Sequence, residues 1–161
     1  MKKISIAILM CLTILGCKDE YNLTPQEKTW FQSCKERLKD KEACLTEVLL
    51  NRETKKLTGI EYTLNNAPED AIITLTFSDT DNRYFGQVVN RYFGTYEFRP
   101  DGKLTLSGAA STLMLGPSEL MQTEQDYLQN LTKVIGYTAS DTGLTLELSD
   151  GTSLEFTKTP K

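Results

Sequence analysis

The chain has 161 residues, a quarter of them charged, and its formal net charge is −4 at pH 7. This acidic balance argues against a nucleic acid partner, because such partners are bound through clustered lysine and arginine. The chain contains no histidine, the commonest general base and metal ligand, so hydrolase chemistry is disfavoured. The sequence therefore predicts a protein that is not an enzyme, with no catalytic residue, metal site or cofactor.

The N-terminal segment is organised like a secretory signal. Lys2 and Lys3 precede an uncharged and largely apolar run over residues 4–16. This run is too short for a transmembrane helix, which needs roughly 20 residues. It ends in Ile14-Leu15-Gly16-Cys17, which resembles the bacterial lipobox, so Cys17 is the predicted lipidated first residue of the mature chain. The alternative is an ordinary signal peptide that is cleaved elsewhere, with an incidental cysteine.

Lipidation of Cys17 sets the expected location of the protein. Two or three acyl chains hold a protein stably at a membrane, whereas a single chain is marginal. Lys18 stands where lipoproteins retained in the inner membrane of enteric bacteria have aspartate. We therefore expect a monomer anchored in the bacterial outer membrane and facing the periplasm. Residues 1–16 would be the lipoprotein signal peptide, and residues 17–23 a tether.

Two cysteines remain for a disulfide once Cys11 has left with the signal peptide and Cys17 carries lipid. An even pair in an oxidising compartment predicts a bond between Cys34 and Cys44. In one continuous helix their α-carbons would lie about 15 Å apart, while a disulfide tolerates roughly 4.4–6.8 Å. The bond thus requires a chain reversal, for which residues 39–41 are suited. Two buried free thiols are the alternative.

Two short helices are predicted before the main domain. The run Thr24-Pro25-Gln26-Glu27 combines an N-cap, proline at the first helical position and glutamate at the third. Trp30, Cys34 and Leu38 then recur at four-residue spacing, which gives one packed face. With a second helix over residues 42–51, residues 24–55 are predicted to form a disulfide-linked helical hairpin.

Alternating apolar and polar residues from Leu57 onward predict strands. Gly116-Pro117-Ser118 opens a helix among them, with a stripe formed by Leu120, Met121, Glu124, Tyr127, Leu128 and Leu131. The predicted fold class is α+β, a bent antiparallel sheet or partial β-barrel closed by this packing helix and preceded by the short helical hairpin. The strand segments are 57–64, 72–77, 83–89, 91–98, 103–107, 134–139, 144–148 and 153–157, with hairpin turns at Asp101-Gly102 and Asp150-Gly151.

A local duplication lies within the strands, since residues 82–86 and 90–94 both read Asn-Arg-Tyr-Phe-Gly. The offset is even, so equivalent side chains fall on the same face of a strand. Arginines and phenylalanines of both copies would share one side, and the tyrosines the other. One interpretation is an aromatic and arginine recognition surface, and the other is a hairpin with core aromatics and solvated arginines. The candidate recognition residues are Arg83, Asn90, Arg91, Tyr92 and Tyr96.

The same region carries a family resemblance. Residues 90–96, 110–114 and 119–124, together with Pro117, resemble in content and order the motifs of the META domain family, which includes HslJ-type heat-shock lipoproteins. The resemblance covers residues 57–158. It implies an α+β fold dominated by antiparallel strands, an envelope or secreted location and no established enzymatic activity. One branch of the family is linked to heat shock and novobiocin resistance.

The chain departs from the family at three positions. Many members have one cysteine just before the Asn-Arg-Tyr motif and another just before the proline, where this chain has Val89 and Gly116. A paired absence is what a lost disulfide would look like. Leu113 stands where an arginine is usual, which weakens any inference about a shared polar surface.

Anchor and resemblance together predict an envelope lipoprotein with a stress-related binding or envelope-maintenance role. The alternative is an inhibitor or assembly partner of an envelope enzyme or secretion component. A third possibility, a hydrolase that uses carboxylates, would require a pocket with two inward carboxyl groups at catalytic separation.

Overall fold

The computed structural model describes residues 22–99 and 103–160. The predicted signal peptide, Cys17, most of the tether and the Asp101-Gly102 turn lie outside the described residues. The chain divides into two compact units, Met1–Lys39 and Asp40–Lys161. Within the described residues, no helix combines the length and the apolarity that crossing a membrane requires.

Helix α1, Pro25–Leu38, is the described helix of the first unit. Its start is the predicted capping box, in which the Glu27 N–H donates to Thr24 Oγ1 at 3.3 Å. In return, the Thr24 N–H donates to Glu27 Oε2 at 2.8 Å. The helix ends at Lys39, whose φ of 56° is left-handed. The predicted start is thus confirmed.

Helix α2, Lys41–Leu57, begins the second unit. Its N-cap is Asp40, whose Oδ1 accepts hydrogen bonds from the backbone N–H groups of Glu42 and Ala43. Cys44 is buried in it and forms the predicted disulfide with Cys34. The prediction that a strand starts at Leu57 was wrong. Good helix formers carry α2 through Leu57, and Gly59 then turns the chain with a φ of 71°.

The rest of the second unit is a nearly closed antiparallel barrel, which confirms the predicted fold class. The strand order is β5-β4-β3-β2-β1-β9-β8-β7, and β6 pairs with β4. The end strands β5 and β7 lie in contact. Helix α3 is Ser118–Leu131. The strands are β1 Glu61–Leu64, β2 Thr74–Phe77, β3 Arg83–Gln87, β4 Arg91–Phe98, β5 Leu104–Leu106, β6 Ala110–Ser111, β7 Val134–Ala139, β8 Gly143–Leu148 and β9 Ser153–Lys158.

The hydrophobic core fills the barrel and extends along the chain from Leu57 to Phe156. Alternate residues of the strands enter it, and Tyr127 and Leu131 of α3 join them. Its largest fully buried side chains include Tyr62, Tyr84, Tyr92, Phe77, Leu75 and Leu146. Among the described residues of α2, only Leu57 belongs to this cluster.

The duplicated motif forms two cross-strand pairs of tyrosine and glycine inside the barrel. Tyr84 of β3 stands opposite Gly94 of β4, and Gly86 stands opposite Tyr92. A methyl group at position 94 would lie 2.6 Å from the ring and hydroxyl of Tyr84. The glycines therefore leave room for the two tyrosine rings to lie across the neighbouring strand.

The substitution Gly94→Ala is expected to lower the free energy of unfolding by roughly 2 kcal/mol, because the methyl group overpacks the core against Tyr84. Urea denaturation followed by circular dichroism measures this change. Gly108→Ala is the control, because a methyl group there meets nothing within 4 Å. Equal midpoints for the two variants would contradict the overpacking argument.

Candidate functional site

The structure does not bring the five predicted recognition residues to one surface. Arg83 and Arg91 are exposed on the outside of the barrel. Asn90 and Tyr92 are each only 1% exposed and Tyr96 is 6% exposed. The prediction that these three residues belong to a recognition surface was wrong. The alternation of β4 turns both tyrosines into the core, and Asn90 bonds within the domain.

An aromatic and arginine patch nevertheless occupies the outside of β3 and β4. Phe85 and Phe93 are directly opposed across the two strands, and they are 46% and 54% exposed. Arg83 and Arg91 lie on the same face, as the eight-residue offset predicts. Arg83 Nε lies 3.5 Å from a carboxylate oxygen of Asp81. We call Arg83, Phe85, Arg91 and Phe93 the outer-face patch.

A buried carboxylate lies beneath the turn between these strands. Glu124 of α3 is 5% exposed. Its Oε2 accepts hydrogen bonds from the Val89 N–H at 3.0 Å and the Asn90 N–H at 2.6 Å. Its Oε1 accepts a third from Asn90 Nδ2 at 3.1 Å. A buried carboxylate needs such donors to offset its desolvation, so Glu124 fixes the β3–β4 turn to α3.

The Asn90 side chain connects this turn to the segment after β6 by hydrogen bonds. Its Oδ1 accepts hydrogen bonds from the Met114 N–H at 2.7 Å and from Thr112 Oγ1 at 2.8 Å. Its Nδ2 donates to the Met114 carbonyl at 3.3 Å. The Thr112 N–H also donates to the Arg91 carbonyl at 3.0 Å. One buried amide thus satisfies both backbone polar groups of Met114 and fixes the course of the chain there.

The segment held in this way presents three consecutive apolar side chains to solvent. Leu113 is 97% exposed, Met114 58% and Leu115 100%. Single exposed apolar residues are ordinary in soluble proteins. A run of three on a backbone fixed by buried hydrogen bonds is not ordinary in this way, and it makes the segment the candidate contact surface of the domain. We call residues 113–115 the apolar loop.

Several tyrosines of the barrel interior bond to one another or to the backbone. The hydroxyls of Tyr92 and Tyr127 lie 2.8 Å apart, and Tyr84 donates to the Ser107 carbonyl at 2.6 Å. Burial raises the pKa of Tyr84 to about 12 and raises the pKa of Tyr92 well above its ordinary value. These hydroxyls therefore stay protonated at neutral pH and serve as donors inside the core.

A cleft of about 590 Å³ lies between the end of α2 and the bend that joins β2 to β3. Asp79 and Asp81 of this bend are its carboxylates, and both are exposed. A glycosidase instead holds its general acid in apolar surroundings, and the exposed Asp79 and Asp81 do not have such surroundings. Within the described residues, no cluster of three metal-ligating side chains is present.

Comparison with known families agrees with this architecture. Residues 55–161 match the model of the META domain. The chain belongs to the META domain family. No curated protein gave a match to the chain.

Two solved structures share the fold of this chain, and a third is more distantly similar. A protein from Burkholderia xenovorans, solved by NMR, is 26% identical with a TM-score of 0.57 over 69% of this chain and 89% of the other. A second NMR structure is 18% identical with a TM-score of 0.50, covering 64% of this chain and 92% of the other. A DUF4847 family protein from Bacteroides vulgatus is 14% identical with a TM-score of 0.44, over 89% and 84%.

The structure also explains the paired departure from other META domains. A methyl group at position 116 would lie 2.7 Å from Cγ1 of Val89, so the two positions are neighbours in space. Cysteines at these two positions would therefore be neighbours, as a disulfide requires. In this chain the valine methyl occupies the space where the second side chain would begin, which accounts for the glycine opposite it.

The sequence pattern does not reveal the contacts that Glu124 and Thr112 make in this META domain. Glu124 was placed on the buried stripe of α3, but no pattern identified the β3–β4 turn as its partner. Thr112 was part of a recognised motif and received no role. In the sequence, the apolar loop is only a run of three apolar residues that does not fit the alternation of a strand. Its exposure could not be predicted from that run.

Proposed function

We propose that this META domain protein is an envelope lipoprotein, anchored through lipid on Cys17, whose domain binds a partner without catalysing a reaction. The lipobox at residues 14–17 supports the anchor. The Cys34–Cys44 disulfide supports an oxidising compartment. Lys18 favours the outer membrane, with the domain facing the periplasm. Family resemblance favours a stress-related or envelope-maintenance role.

The observation that carries the binding role is the apolar loop on its hydrogen-bonded support. Glu124 and Asn90 are buried polar residues, which are costly to bury without partners. Together they fix a backbone whose apolar side chains face solvent. A surface held in one conformation loses less entropy when it binds, so the loop is preorganised for contact.

The outer-face patch supports the alternative role, an inhibitor or assembly partner of an envelope enzyme or secretion component. Aromatic residues and arginine are enriched among the residues that contribute most to protein interfaces. Phe85 and Phe93 form one exposed cross-strand pair between two arginines. Co-purification of one stoichiometric envelope protein would favour this alternative.

Intact mass spectrometry of the protein extracted from membranes tests the anchor. We expect a mass that starts at Cys17 and includes a diacylglyceryl and an N-acyl group, and we expect Cys17→Ser to lack both. Reduction is expected to add about 2 Da to either form, because one disulfide becomes two thiols. Cys34→Ser with Cys44→Ser is the control and should keep the lipid but show no gain on reduction. An unlipidated wild-type mass would refute the anchor.

A further inference from the structure

The apolar loop has no cover within the described part of its own chain. Leu115 is fully exposed and Leu113 nearly so, and Met114 between them is more than half exposed. They follow the two-residue strand β6 and precede α3, so they lie on a connection and not within a groove. We infer that this loop inserts into the surface of the membrane that carries the lipid anchor. The inference rests on the proposed lipoprotein role.

The backbone at the centre of the loop is suited to an apolar medium. A peptide N–H or C=O that enters the boundary between headgroups and acyl chains loses water and must be paired. Both polar backbone groups of Met114, at the centre of the loop, are paired by the Asn90 side chain. Glu124 in turn holds Asn90 by two hydrogen bonds. The central residue can therefore move into the interface without exposing unpaired backbone groups there.

The charge beside the loop also fits a lipid surface. Arg91 bonds through its backbone to Thr112, the residue before the loop. Its side chain is exposed, and it forms no ion pair within the described residues. A guanidinium group binds phosphate oxygens in a bidentate manner, so it can contact headgroups while the loop enters the apolar layer.

The length of the tether keeps the protein near that surface. Seven residues separate Cys17 from Pro25, the first residue of α1, so the two α-carbons are eight steps apart along the chain. A fully extended chain of this length spans at most about 29 Å, so a lipid on Cys17 holds the start of α1 within that distance of the bilayer. Three apolar side chains bind a membrane weakly alone but contribute strongly when the chain is already held there.

Tryptophan quenching by brominated lipids tests insertion independently of lipidation in the cell. The protein used is residues 17–161, which retains every described residue and the whole core. Its anchor is replaced by a maleimide lipid, which couples to the Cys17 thiol alone because Cys34 and Cys44 are bonded to each other. In a Trp30→Phe background, Leu115→Trp reports on the loop. Ile135→Trp, at a 46% exposed position on β7, is the control. The vesicles contain phosphatidylcholine and phosphatidylglycerol, with bromine on the acyl chains.

We expect quenching of the Leu115→Trp variant to exceed that of the Ile135→Trp variant at least about twofold, with a blue shift in emission. Equal quenching of the two variants would overturn the inference. Capture of a protein that is lost in Leu113→Ser with Leu115→Ser, without quenching, would assign the loop to a protein partner and also overturn it. Absence of lipid on Cys17 in cells would refute the anchor but would not change the quenching result.

Discussion

Replacing Glu124 by alanine is expected to lower the free energy of unfolding by roughly 3 kcal/mol. The carboxylate accepts from the Val89 and Asn90 N–H groups and from Asn90 Nδ2, all at 3.1 Å or less. Alanine leaves these largely buried donors without an acceptor, and it leaves a cavity between α3 and the β3–β4 turn. Urea denaturation at neutral pH measures the change.

Two further variants separate the lost hydrogen bonds from a general effect of removing charge. Glu124→Gln keeps an oxygen for the two backbone donors but places an NH₂ group opposite Asn90 Nδ2, so about half of the alanine effect is expected. Asp126→Ala removes an exposed carboxylate from the same helix and should change stability by no more than about 0.5 kcal/mol. If Glu124→Ala and Asp126→Ala unfold at the same urea concentration, the network does not stabilise the domain.

The strands could be predicted because burial imposes a local pattern. In β4, exposed and buried residues alternate from Arg91 to Glu97. The same rule predicted that Arg83 and Phe85 would share one side of the hairpin. It could not predict that α2 extends through Leu57, because a single apolar residue at a helix end fits a strand equally well.

The candidate site depended on contacts between residues far apart in sequence. Glu124 bonds to a turn 34 residues away, and Asn90 bonds to Met114, 24 residues away. Neither pairing leaves a periodic signal, since in each a side-chain oxygen accepts from a backbone N–H, a group that nearly every residue has. The motif Asn-Arg-Tyr indicated that Asn90 matters, but polar character suggested a surface role. Only the fold shows that this amide is enclosed and that the exposed residues are the ones it supports.

The double substitution Val89→Cys with Gly116→Cys is expected to form a second disulfide and to raise the free energy of unfolding by about 3–4 kcal/mol. The two positions are adjacent, with Val89 Cγ1 only 2.7 Å from the site of a Cβ at position 116. Gly116 does not have the positive φ that would strain a cysteine. The gain would come from the unfolded chain, in which the bond closes a loop of roughly 28 residues.

Comparison of oxidised and reduced forms isolates the new bond. Reduction also opens Cys34–Cys44, so the difference between the two forms in wild type is subtracted from that in the variant. Gly116→Cys alone should be destabilising, because its Cβ would lie closer than normal contact distance to a Val89 methyl group. Val89→Cys alone should give no gain in stability, because it has no second cysteine to bond. Failure of the two thiols to oxidise, or a double variant less stable than both single ones, would show that valine and glycine fill this space in a way that a disulfide cannot.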